Sequence, residues 1–158
     1  MSEQYLSILQ ESLKKKSAVL DEIIRISKRQ SEILSAEVIS FEEFDRCVDD
    51  KDVCIEQLNT LDEGFETMYK RVEQELNGNR AKYADWIKAC QKLIYEVTEK
   101  SVEIQALEAR NKQAIETVFK KNRKDYSEGK RSVQAARSYY KNMNHTNVVP
   151  PQFMEKKI

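Results

Sequence analysis

A chain with no proline before position 150 has few ways to turn. Pro150 and Pro151 are its only prolines, and Gly64, Gly78 and Gly129 its only glycines. Average usage would place roughly one such residue in every eight. Sandwiches, barrels and doubly wound sheets each need a turn about every ten residues. They are excluded here, as is any glycine-rich loop that cradles a phosphate. What remains is an all-α, elongated protein, and 158 residues suit one domain.

Mean hydropathy is low, −0.72, yet the chain does not read as disordered. Net charge is zero and the apolar residues recur at helical spacing. No stretch approaches the ~18 apolar residues of a membrane span. The start, Met1-Ser2-Glu3-Gln4, lacks the basic and apolar regions of a signal peptide, so a cytoplasmic protein is expected. Cys47 and Cys54 stand two helical turns apart, about 10 Å by helical rise, too far for a disulfide. With Cys90 they are expected to be reduced core thiols.

The periodicity predicts an antiparallel three-helix bundle or coiled coil over residues 1–143, with helices at about 3–38, 41–77 and 80–143. The first seam holds Leu6, Leu9, Leu13, Leu20, Ile23 and Leu34, interrupted by Lys16, Ser27 and Gln30. Ser40 with Glu43 forms a capping box, and Ile39 with Phe44 a hydrophobic staple, so a tight turn is expected at 37–40. The second seam runs Phe44, Val48, Lys51, Ile55, Leu58, Asp62, Phe65, Tyr69, Val72, Leu76 in steps of four and three. That 3.5-residue repeat predicts left-handed, near-antiparallel packing. Gly78 is expected to end this helix in the left-handed conformation. Mid-helix Gly64 points to a close helix approach, because it otherwise costs about 1 kcal/mol relative to Ala.

The third seam runs Tyr83, Ile87, Cys90, Ile94, Val97, Ile104, Ile115 and Val118, with Ser101, Glu108 and Asn111 as interruptions. A break is expected near Gly129. A helix of that length overhangs its partners or bends. Residues 144–158 have no period and read as an extended tail.

Residues 1–79 carry 10 basic and 18 acidic side chains, and residues 80–158 carry 17 and 9, by count along the sequence. An acidic second helix beside a basic third one accounts for this better than nucleic acid at Lys120, Lys121, Arg123, Lys124, Lys130 and Arg131. No aromatic RNA-binding sheet and no short helix-turn-helix is available. The single histidine, His145, makes no zinc set and no Ser–His–Asp set. Neither catalysis nor a cofactor nor a metal is expected. Lys51 and Asp62, eleven residues apart, cannot pair along one helix. Lys51 is expected to snorkel to the edge and Asp62 to meet a basic residue of a neighbouring helix. The alternative is that these polar seam residues fix register.

The C-terminal third carries apolar and aromatic groups with no evident internal partner. Val118, Phe119, Val133, Ala136, Tyr139, Tyr140, Met143, Phe153 and Met154 are the candidate surface for another protein's helix, with Tyr140, Met143 and Phe153 expected to be exposed. The competing reading is an arm that folds back on the bundle.

Several segments carry a resemblance. Lys51-Asp52-Val53-Cys54-Ile55-Glu56-Gln57-Leu58-Asn59-Thr60-Leu61-Asp62-Glu63-Gly64-Phe65 shows a lysine followed by spaced leucines. Ile104 to Lys112, Ser138 to Met143 and Pro150 to Lys157 add to it. Together they resemble flagellar export chaperones of the FlgN class. The resemblance implies a cytoplasmic protein that binds the helical termini of hook-associated proteins and keeps them unassembled. It also implies delivery to the flagellar export gate, with an aromatic such as Tyr139 or Tyr140 touching the gate. The related filament-cap chaperone class, and a self-associating coiled-coil adaptor or weak homo-oligomer, are the alternatives.

Overall fold

The computed structural model describes residues 2–121 and 134–142. All secondary structure among them is helical. Helix α1 is Ser2–Ser35, α2 is Phe41–Gly78, and α3 is Ala84–Lys121. A short helix α4 covers 134–142. At 1.5 Å per residue the two longest helices each run about 57 Å. The expected overhang of the third helix, its break near 129 and the 144–158 tail lie outside the described residues.

Close backbone approaches run from α1 to α2 and from α1 to α3. Cross-helix contacts set the directions. Lys16 meets Asp62 and Arg29 meets Glu43, so α1 and α2 are antiparallel. The Trp86 indole N–H donates to the Leu6 carbonyl at 2.8 Å, and Ser31 donates to Asn111, so α1 and α3 run parallel. The order is therefore up, down, up, with α1 between the other two.

The first turn forms as its capping residues dictate. The Glu43 amide donates to Ser40 Oγ at 3.3 Å, while Phe44 is fully buried with half-buried Ile39 packed near it. The Glu43 carboxylate does not close the box. It accepts from Arg29 at 3.0 Å, tying the turn to α1 instead. The second turn departs from expectation. No described glycine has a positive φ, so Gly78 is ordinary last-turn helix. Asn79 ends α2: its amide donates to the Leu76 carbonyl and its side-chain amide to the Glu75 carbonyl. A turn then carries the chain to Ala84, four residues later than expected, held by Tyr83 Oη donating to Glu75 at 3.1 Å.

The core divides in two. Leu6, Leu9, Leu13, Phe65, Tyr69, Val72, Leu76, Tyr83, Ile87, Cys90 and Ile94 fill one half. Residues from Leu20 to Leu34, Phe44 to Leu58 and Val97 to Ile115 fill the other, with Ala136, Tyr139 and Tyr140. Polar pairs sit between the halves. Lys16 Nζ is 2.7 Å from Asp62 Oδ1, as expected for Asp62, and Lys100 donates to Ser17 at 2.6 Å. Burial raises the Asp62 carboxyl, and the Lys16 hydrogen bond offsets part of that rise. Gly64 is corrected: it is exposed, and an added Cβ would meet nothing within 4 Å. It opens a groove between α1 and α2 and does not serve a close approach.

Candidate functional site

Four of the seam positions that break the apolar pattern, drawn from three different helices, converge in space. Lys51 of α2 is wholly buried, so the expectation that it snorkels to the edge is corrected. Its Nζ lies 2.6 Å from Glu108 Oε1 of α3. Ser27 of α1 donates to that same carboxylate oxygen at 2.5 Å. Asn111, one turn further along α3, donates to the Ser27 carbonyl at 2.9 Å and accepts from Ser31 at 2.7 Å. One layer thus draws a residue from every long helix. Because each partner sits at a fixed height, sliding any helix by a turn would strand a buried charge, and the layer fixes register. Burial pulls the Lys51 pKa down from 10.5, and the Glu108 charge offsets part of the fall.

Helix α4 closes this layer from outside. Ala136, Tyr139 and Tyr140 are buried, spaced three and four apart so that they share one face. The Tyr139 ring lies 4.3 Å from Lys51 Nζ, and the Tyr140 ring 5.9 Å from Lys112 Nζ of α3. The two rings meet edge to face at 5.3 Å. The short helix therefore bridges α2 and α3, which approach each other little elsewhere. Burial holds both phenols well above their ordinary value, and the nearby Glu108 charge adds to the rise.

The sequence-derived surface is redistributed by this packing. Tyr140 is only 8% exposed, which corrects the expectation that it faces solvent; the lysines and the apolar core of α2 and α3 supply the internal partner. Val118 and Phe119 are half-buried at the end of α3 against the same core. Val133, Met143, Phe153 and Met154 lie outside the described residues. The apolar surface that the described residues leave open is elsewhere. Ile8, Leu61, Gly64 and Met68 line a groove of about 460 Å³ between α1 and α2. Val19, Val53 and Leu61 line an adjoining one of about 590 Å³. Ile8 and Val53 are half exposed and lie off the main seams, which is why a search for seam positions passes over them.

Among the described residues no three His, Cys, Asp or Glu side chains gather to hold a metal ion. Cys54 and Cys90 are buried and Cys47 half-buried, all three free thiols, and burial pushes Cys90 up to about 12. Such thiols are poor nucleophiles. No described helix is long and apolar enough to cross a membrane. Lys51, Ser27, Glu108 and Asn111 join the three long helices, and the arrangement is that of a helical scaffold with a docked C-terminal segment.

No curated protein and no solved structure gives a significant match to the chain. The FlgN protein family matches residues 1–145, nearly the whole length and every described element. The chain therefore belongs to the FlgN family of flagellar export chaperones.

Proposed function

We propose that this protein is a cytoplasmic, non-enzymatic chaperone that binds the helical termini of hook-associated proteins. It keeps them unassembled and delivers them to the flagellar export gate. Family membership supports the export role in general. The observation that carries the finer reading is the docking of α4, since a groove that already holds one short amphipathic helix has the shape for another. The cargo-contacting region runs from Val118 and Phe119 through Val133, Ala136, Tyr139, Tyr140 and Met143 to Phe153 and Met154. Tyr139 or Tyr140 becomes available to cargo or to the gate when α4 leaves its groove.

The test is calorimetric titration of the full chain with terminal fragments of hook-associated proteins, with a filament-cap fragment alongside. One-to-one binding of a hook-associated fragment is expected. Binding of the cap fragment alone would assign the chain to cap delivery. Binding of neither, with concentration-dependent self-association, would make it an adaptor.

A further inference from the structure

Helix α4 fits its groove imperfectly. The Tyr139 hydroxyl is buried without a hydrogen-bond partner, and so is the second carboxylate oxygen of Glu108 beneath it. Both groups lose water when α4 docks and recover it when α4 leaves, so opening is favoured relative to a fully satisfied interface. The contacts that hold it are undemanding. A lysine over a ring face is satisfied by any aromatic, and Ala136 shows only that a small residue fits at the crossing.

We propose that α4 is a removable cover, and that the groove between Lys51 and Lys112 takes in its place an amphipathic partner helix carrying adjacent aromatic residues. The identity of that partner as hook-associated cargo rests on the chaperone reading above. The groove's preference follows from what occupies it now. Two cations, one on α2 and one on α3, select a helix with a ring at each of two successive positions and a small residue one turn earlier. Exchange of one helix for another keeps the Lys51–Glu108 pair covered in both states. Binding is then a competition, and its strength is set by how firmly the chain's own α4 sits.

The test uses the full chain and a fluorescent peptide of its own residues 131–145, added in trans. Tyr139→Ala loosens the resident helix without touching the groove walls, and should bind the peptide about tenfold more tightly than the parent. Tyr139→Phe keeps the ring and removes the stranded hydroxyl, so the cover tightens and peptide binding should weaken by about tenfold. Equal binding by all three chains would overturn the proposal. So would loss of the helical far-ultraviolet signal in Tyr139→Ala, which would make α4 part of the obligate core. A hook-associated fragment should then displace the peptide. A fragment that binds without displacing it overturns the assigned occupant but leaves the chaperone reading intact. A fragment that binds no variant overturns the chaperone reading, while the Ala and Phe chains still report on the cover.

Discussion

Lys51 shows what one side chain can demand of a fold. A buried ammonium is tolerable only with its counter-charge in place; Glu108 of α3 provides that charge, and Ser27 of α1 accepts a hydrogen bond from the same ammonium. Lys51→Met should cost about 3–5 kcal/mol in urea unfolding, because Glu108 is left buried and charged. Lys51→Met combined with Glu108→Leu should return stability to the parent value or above it. A single substitution that costs under 1 kcal/mol would show the pair to be solvated. Alkaline pH offers a second residue-scale test. The folded chain keeps protons on Tyr139, Tyr140 and Cys90 that the unfolded chain releases from about pH 9 upward. The unfolded state then binds fewer protons, so stability falls as pH rises. Lys51 acts in the opposite sense: its pKa is lowered by folding, and the unfolded chain holds more protons there up to its ordinary 10.5. The thiols and phenols outnumber it, so the net slope is downward. Tyr140→Phe should flatten that slope by up to about 1.4 kcal/mol per pH unit, read from urea unfolding at about pH 9 and 11. An unchanged slope would mean the phenol ionises as freely folded as unfolded. The sequence displayed Lys51, Ser27, Glu108 and Asn111 as faults in three seams. It could not display their convergence, because helical spacing reports a face and not the height at which faces meet.

At the scale of elements, local chemistry explains the turns unevenly. Ser40 caps α2 as its type and spacing require, and Ser40→Ala should lower stability by about 1 kcal/mol in thermal unfolding. No change would mean that Arg29 and Glu43 alone hold the turn. Gly78 misled because glycine permits a left-handed C-cap without compelling one. Asn79 made the stop by bonding back to Leu76 and Glu75. Gly64 misled for a related reason. A helical glycine has two readings, close packing or open space, and only the three-dimensional surroundings decide between them. Since an added methyl meets nothing, Gly64→Ala should raise stability by about 0.5–1 kcal/mol in the same assay. A loss of stability would show that the groove between α1 and α2 is closed in solution. Helix α4 was legible as amphipathic, and its folding back on the bundle as one of two readings; the buried Ala136, Tyr139 and Tyr140 bear out the fold-back reading for these residues, but the groove they enter was not legible. An apolar stripe calls for a cover without naming one, and the ring-on-lysine contacts come from chain segments 28 to 88 positions away.

Across the whole molecule, the acidic first half and basic second half do not simply lie face to face. The ion pairs that join α1 to its neighbours are Lys16–Asp62, Arg29–Glu43, Lys28–Glu103 and Lys100–Asp21. α2 and α3 meet through Lys51 and Glu108 in the interior. The scaffold is thus held along α1, while the side between α2 and α3 is covered in part by α4. On the proposed reading, that arrangement gives an export chaperone a stable body and a surface that exchanges its cover. Hydrogen exchange on the full chain, alone and with a hook-associated fragment, tests it most directly. Residues 134–142 should exchange by local opening, well before the buried amides of α1 to α3. Added cargo should raise their exchange further and leave the body unchanged. Exchange of 134–142 in step with the core, unaltered by cargo, would contradict the account.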